Sequence, residues 1–375
     1  MPSDIANKHT DLILDGTKIM WHRERLEKWK RGEKFAPITI DMALTRACNY
    51  QCKFCYATLQ DNDSKRITQN VLRDFIDDCT EMDVKGISLV SDGESTISPH
   101  YEFMVQYGAK SGRSMASGSN GFLLTSAKLE RVLPNLTYLR FNFSAGDRTR
   151  YAEIMGTKPD NFDKVCTNVR AAMKIKAKQN LKVTIGLQMV LMPQDGDQII
   201  PLAKLGKELG VDYVIIKHCS DDEHGSLGVD YSGYSRLQEV LEKAESYSGG
   251  HYKVYIKWSK IGDRGTRNYS RCYGTPFLMQ LSGSGLVAPC GMLFNTKYSR
   301  FHIGNIAETR FKDIVFSDKY WEVINELASP NFDATKMCGS LCLQHKVNQY
   351  LDSYMKNKHN MEAPSGTPPE HLNFI

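Results

Sequence analysis

Ten cysteines occur in this 375-residue chain, and seven of them fall into two sets whose spacing could do chemistry. Cys48, Cys52 and Cys55 form a C-x3-C-x2-C run. Three thiolates converging on one loop can hold a soft metal centre. A structural zinc site normally closes with a fourth nearby ligand, yet no histidine lies between residues 24 and 99. A three-ligand site leaves one coordination position open, as catalysis at a metal needs. A structural zinc knuckle is the competing reading of the spacing alone. In the second set, Cys272, Gly285 and Cys290 stand as C-x12-G-x4-C, followed by Cys338 and Cys342 as C-x3-C. Four thiolates with no open position suit a closed iron–sulfur cluster or a structural zinc. Of the remaining three, Cys79 and Cys166 fall in predicted helices and read as core. Cys219 ends a predicted strand in Ile216-Lys217-His218-Cys219-Ser220.

The elements that must position these thiols follow from hydrophobic periodicity. Strands are predicted at 38–44, 86–90, 114–118, 137–143, 182–191 and 212–217, with helices near 68–82, 98–110, 125–132, 161–178 and 196–209 between them. Phe162, Val165, Val169 and Met173 recur at helical spacing, and Gly210 is a good residue to end the last of these helices. Strands alternating with helices imply βαβ units and a parallel sheet. Six such units predict an α/β fold built as an open, partial (β/α)6 barrel, closed by a helix at 233–247 and a strand at 252–257. The triplet then follows the first strand, and Cys219 ends the sixth. Both lie at the carboxyl end of the sheet, where α/β folds bind ligands. The acidic and basic residues crowding the loop around Cys219 (Lys217, His218, Asp221, Asp222, Glu223 and His224) could bind a polar substrate, act as a base or simply be solvated.

The expected organisation is an N-terminal extension over 1–36, with a helix near Trp21–Arg31, a barrel over 37–258, and a small C-terminal unit over 259–375. The last contains a hairpin of strands 278–281 and 286–288, a helix from about 310 to 327, the second cysteine pair, a helix to about 355 and an extended tail. Hydrophobic residues make up 41% and charged residues 24% of the chain, which argues against disorder. The net charge is +5, with no block of like charges, so nucleic acid is not implied. No apolar run is long enough to span a membrane, and the start of the sequence lacks a signal-peptide pattern. A cytoplasmic protein is expected, in a compartment where cysteines serve as metal ligands more often than as disulfides.

With the triplet written as CNYQCKFC, the chain resembles the radical S-adenosylmethionine (radical SAM) superfamily. Further resemblances follow in order along the chain: Asp92-Gly93-Glu94 stands where the family carries Gly-Gly-Glu, Ser119-Asn120-Gly121 where many members have Thr-Asn-Gly, and Ser144-Ala145-Gly146-Asp147 where the family has Ser-Leu-Asp-Gly. The similarity covers about residues 37–220. It implies a [4Fe-4S] cluster on Cys48, Cys52 and Cys55, with S-adenosylmethionine on the open iron. Cleavage would release a 5′-deoxyadenosyl radical that takes hydrogen from substrate. Phe54, Gly93, Glu94, Asn120, Ser144 and Arg170 are the positions expected to hold S-adenosylmethionine. Asp92 departs from the pattern and could alter how its methionine end is held. The set Cys272, Cys290, Cys338 and Cys342, with Gly304-Asn305-Ile306, resembles the twitch or SPASM extension of the family, here the shorter form with one auxiliary [4Fe-4S] cluster.

The activity implied is hydrogen abstraction from a small polar substrate, as in dehydrogenases of the sugar and aminocyclitol type, with flavodoxin or ferredoxin supplying electrons. Alternatives are an epimerase in which the Cys219 thiol returns a hydrogen atom, a maturase acting on a ribosomal peptide, and a zinc-stapled binding module with no enzymatic role. Fold alone does not name the substrate.

Overall fold

The computed structural model describes residues 16–62, 65–340, 343–357 and 365–375. Residues 1–15 of the predicted N-terminal extension, Cys342, and residues 359–364 of the predicted tail lie outside the described residues.

The apolar faces assigned from periodicity bury the barrel helices. A short helix α1 (Arg23–Lys30) precedes β1 (Thr39–Met42). Six units then alternate: α2 (Gln69–Glu81), β2 (Gly86–Leu89), α3 (Tyr101–Lys110), β3 (Ser114–Ser119), α4 (Ser126–Val132), β4 (Tyr138–Asn142), α5 (Arg148–Ile154), α6 (Asp160–Lys178), β5 (Thr184–Leu191), α7 (Ile199–Leu209), β6 (Tyr213–His218), α8 (Gln238–Glu245) and β7 (Lys253–Ile256). In α6, Val165 and Val169 are fully buried, and Phe162 and Met173 pack against the same core. Gly210 ends α7 at φ 72°, a left-handed conformation that glycine adopts without steric cost. The seven-residue α5 is an element that the sequence reading lacked. It is short for a periodic signal, but Asp147 caps it by accepting from the Arg150 amide.

Strands β1 to β7 pair in parallel and in chain order. The C-terminal hairpin, β8 (Leu278–Leu281) and β9 (Leu286–Ala288), continues this sheet. β8 pairs in parallel with β1, Thr39 opposite Leu278, and β10 (Gly304–Asn305) pairs with β9. Among the described residues, ten strands thus form one sheet. Beyond it, α9 (Trp258–Gly262), α10 (Phe311–Phe316), α11 (Asp318–Ala328) and α12 (His345–Asn357) follow. The helix expected over 310–327 is two helices, because Ser317 is extended and its side chain caps α11.

The sheet curves. Side chains of β1, β4 and β6 line one common cavity, and the Ser88 and Tyr138 hydroxyls, on β2 and β4, meet at 2.9 Å across β3. Small residues permit this. Ala116 and Gly118 occupy β3 opposite Tyr138 and Arg140, and a Cβ on Gly118 would lie 2.6 Å from the Val90 side chain. The alternate positions Leu139, Phe141, Ile185, Leu187, Val214 and Ile216 are fully buried against the helices. Apolar residues therefore face outward to the helices, and polar ones face the lumen. The tail expected to be extended instead makes turns beneath the barrel. The Thr39 hydroxyl donates to the Asn373 carbonyl at 2.7 Å, and His371 stacks on Tyr138 with ring centroids 5.5 Å apart.

Gly118→Val is expected to force Val90 and Arg140 apart and to destabilise the protein by about 1–3 kcal/mol, read as a lower denaturant midpoint. An unchanged midpoint would contradict the close approach across β3.

Candidate active site

The triplet loop leaves β1 through Thr45-Arg46-Ala47, and neighbouring loops hold this segment from both sides. Gly93, at φ 109°, faces it so closely that a Cβ would lie 2.2 Å from the Thr45 carbonyl oxygen. From the C-terminal hairpin, a Cβ on Gly283 would lie 2.1 Å from the Thr45 carbonyl carbon. Asp92 fastens the two together. Its carboxylate accepts from the Ser282 hydroxyl at 2.6 Å and the Gly283 amide at 2.8 Å, with Arg46 Nε at 3.4 Å. Burial pushes the Asp92 carboxyl above its usual range, and the Ser282 and Gly283 bonds oppose that shift. The residue that departs from the family pattern thus ties the cofactor loop to the hairpin. Arg46 also donates to the carbonyls of Asn62 at 2.7 Å and Gln60 at 2.6 Å, closing the loop beyond the triplet.

On its other side the triplet rests on α5. The Lys53 amide donates to Ile154 and the Gln51 amide to Gly156. Gly156 is at φ 57°, and a Cβ there would meet the Gln51 carbonyl oxygen at 2.0 Å. The cysteines sit close enough to affect one another: burial raises the Cys52 thiol, and Cys55 and Cys48 raise it further. Three thiolates so placed repel unless a positive centre accepts them, which fits the donor set to an iron–sulfur cluster. Among the described residues, no three Cys, His, Asp or Glu side chains form a site for a single metal ion.

The Glu94 carboxylate is fully engaged within the protein. It accepts from the Thr96 amide and hydroxyl, the Ser119 hydroxyl and the Asn120 amide, at 3.1, 2.6, 2.8 and 2.7 Å. Asn120 in turn donates from Nδ2 to Asn49 Oδ1 in the triplet loop at 2.8 Å. The resemblance places Glu94 among the residues that hold S-adenosylmethionine, and its contacts here are those of a loop anchor. Ser144 is fully buried and accepts from the Val190 amide at 3.2 Å, leaving its hydroxyl proton to donate. Arg170 requires a correction. It lies on the outer face of α6, about half exposed, and pairs with Glu208 at 2.8 Å. Its place on the helix before the fifth strand makes it a candidate for the carboxylate of S-adenosylmethionine, but the helix turns it to solvent.

Cys219 comes to the triplet. It is 1% exposed, and its thiol donates to the Phe54 carbonyl at 3.7 Å and to the Ser220 carbonyl at 3.4 Å. Burial, then Asp221, pushes the thiol up to about 12, so it keeps its proton at neutral pH. The acids after it are used locally: Asp221 accepts from the amides of Asp222, Leu227 and Val229, and Asp222 from His224 and Ser226. Asp221 and Ser340 also bond through backbone and hydroxyl, joining this loop to the segment that follows Cys338.

In the C-terminal unit, Cys272, Cys290 and Cys338 pack against one apolar cluster that includes Tyr269, Leu293, Phe301 and Phe332. Asn348 donates to the Cys272 sulfur at 3.4 Å. Gly285, at φ 84°, stands against Asn305, whose side chain donates to the Ser284 carbonyl at 3.1 Å. The glycine predicted between the two cysteines is therefore the hairpin turn on which Gly304-Asn305 closes. The sequence reading missed Asp41 and Arg140, which share the polar lumen below the site with Lys217. Their signal was present, as single charged residues at alternate positions of otherwise apolar strands.

A curved parallel sheet with a three-cysteine loop after its first strand, followed by a cysteine-bearing hairpin unit, defines a radical SAM architecture. Residues 42–206 match the radical SAM superfamily, and residues 272–342 match SPASM, an iron-sulfur cluster-binding domain. The chain therefore carries a radical SAM domain and a SPASM-like C-terminal domain, and these domains imply S-adenosylmethionine, a catalytic [4Fe-4S] cluster and auxiliary iron–sulfur binding. It is 22% identical over 206 residues to a probable GTP 3',8-cyclase of Saccharolobus islandicus, covering 54% of this chain and 64% of that protein. It thus spans less than two thirds of that relative. An AdoMet-dependent heme synthase of Methanosarcina barkeri is 23% identical over 331 residues, covering 83% of this chain and 90% of that one. Streptococcus suis SuiB, solved bound to S-adenosylmethionine, superposes with a TM-score of 0.62 at 15% identity, covering 81% of this chain and 71% of that one.

Asp92→Ala would strand the Gly283 amide and the Ser282 hydroxyl in a buried position, at an expected cost of about 1–3 kcal/mol. Arg170→Ala breaks only an exposed pair and should stay within about 0.5 kcal/mol of the parent. Denaturant unfolding of both variants compares them directly, and equal losses would refute the joint assigned to Asp92.

Proposed function

We propose that the chain is a radical SAM oxidoreductase that takes a hydrogen atom from a small polar substrate and passes a second electron to an acceptor held in its C-terminal unit. When bound, S-adenosylmethionine and the [4Fe-4S] cluster supply the 5′-deoxyadenosyl radical. Cys48, Cys52 and Cys55 are the residues that would hold the cluster. Gly93 allows the backbone a close approach, and Ser144 offers a hydroxyl proton to S-adenosylmethionine. Oxidation of an alcohol to a carbonyl removes two electrons. One leaves with the hydrogen atom, and the other requires an acceptor. Cys272, Cys290, Cys338 and Cys342 are the residues that would hold that acceptor. The observation that carries this reading is the parallel pairing of β8 with β1. It sets the strand that leads into Cys48, Cys52 and Cys55 beside the hairpin that runs between Cys272 and Cys290.

A second reading, epimerisation, is favoured by Cys219, whose protonated thiol reaches the triplet loop. Such a thiol could return a hydrogen atom to the opposite face of a substrate radical.

Anaerobic reconstitution should load about eight irons per chain if both cysteine sets hold [4Fe-4S] clusters, and replacing Cys48, Cys52 and Cys55 with Ala should abolish formation of 5′-deoxyadenosine. Cys272→Ala with Cys290→Ala should keep 5′-deoxyadenosine formation and lose the oxidised product. Product formed at the parental rate would remove the acceptor role. If the enzyme is an epimerase, Cys219→Ala should halt turnover after the first hydrogen abstraction, and product formed in D2O should carry deuterium at carbon. Full turnover by that variant would exclude the thiol.

A further inference from the structure

The lumen of the curved sheet holds more cations than it has partners for. A cavity of about 150 Å³ lies inside it, with Asp41, Arg140 and Lys257 on its wall. Lys217 belongs to the same group, since Arg140, Lys260 and Asp41 all act on its charge. Among the described residues, the side chains of Arg140, Lys217 and Lys257 make no hydrogen bond or ion pair, and Arg140 Nε is a buried donor with no acceptor. Arg140 has only the face of Tyr138, at 6.0 Å. Asp41 is the one carboxylate side chain among the described residues on this wall. Burial pushes it up to about 7, so it is at best half a counterion at neutral pH.

Unpaired charges partly withdrawn from water, as Arg140, Lys217 and Lys257 are, carry a cost. The cost appears in Lys217, which burial, then Arg140 and Lys260, bring down to about 7. An oxyanion entering the cavity would give the guanidinium a bidentate partner and restore the lysine charges. The cavity is closed from below by the tail, through His371, Phe374 and Ile375. Its volume suits a small anionic group.

We infer that the lumen binds the oxyanion of the substrate, a carboxylate or a phosphate, with Arg140 as its anchor and Lys217 and Lys257 as flanking charges. This rests on the reading of the site above as one that abstracts hydrogen. Lys217 lies two residues before Cys219, whose thiol touches the triplet loop. Two residues of extended strand span about 7 Å. The reacting carbon is therefore only a few bonds from the anionic group, and the substrate is a short-chain acid or a small phosphate ester.

Calorimetric titration of the intact, oxidised chain with inorganic phosphate and, separately, with succinate tests this. One saturable site for at least one probe is expected, with affinity at least tenfold weaker in Arg140→Gln and in Lys217→Met and unchanged in Lys174→Met, an exposed lysine of α6. Binding of phosphate alone assigns a phosphate ester, and of succinate alone a carboxylic acid. Lys217→Met should also melt at or above the parental temperature, because it removes an unpaired, partly buried charge, and should lose the rise in melting temperature that the probe gives the parent. This arm holds even if Arg140→Gln fails to fold. Absence of saturable binding by both probes, or parental affinity in Lys217→Met, would overturn the inference. Parent enzyme that forms 5′-deoxyadenosine but binds neither anion refutes the lumen site alone. Parent that binds an anion but never forms 5′-deoxyadenosine refutes the proposed function alone.

Discussion

The architecture turns on one peptide held between two glycines. Thr45-Arg46 carries the chain from β1 into the cysteine triplet, and it is gripped by Gly93 on one side and Gly283 on the other, with no room for a Cβ at either position. The two gripping loops come from opposite halves of the sequence, and the buried carboxylate of Asp92 locks them together. Because close-packed backbone leaves few alternative arrangements, the course of the cysteine loop is set jointly by the barrel and by the C-terminal hairpin. Neither half fixes it alone. The remaining contacts of the loop, to α5 and through Asn49 to Asn120, add direction to a segment already confined.

The barrel also inverts the usual disposition of polarity. Its apolar residues point out to a jacket of helices, and its inner face carries hydroxyls, amides and charges. Small residues on the inner face of β3 make room for large polar neighbours, so the lumen is a chamber and not a packed core. Such a chamber suits a reaction that must exclude stray hydrogen donors while holding a polar molecule still.

Much of this was legible in the sequence. Alternation of apolar strands and amphipathic helices gave the β/α units, and the triplet, the Gly-Glu and Asn-Gly pairs and Cys219 were placed at the correct end of the sheet. What escaped was non-local. Nothing near Leu278 reveals that it pairs with Thr39, because a parallel pairing across most of the chain leaves no turn signal. Glu94 and Asn120 were recognised by position, but their partners within the protein could not be read from residue type. Arg170 was misplaced because helical phase decides exposure, and a guanidinium is at home on either face. Asp41 and Arg140 were passed over because each interrupts a strand with a single polar residue.

The pairing of β8 with β1 bears on how the molecule comes to be folded. β1 is an interior strand only once β8 has arrived, and until then the strand that leads into the cysteine loop is an open edge with unpaired amides and carbonyls. Synthesis delivers β8 after all seven parallel strands, and the tail segment that stoppers the lumen later still. Contacts of such high sequence separation form slowly. The nascent barrel therefore passes through a stage with one exposed edge and an open base, during which its thiols and lumen are reachable from directions that the finished fold closes.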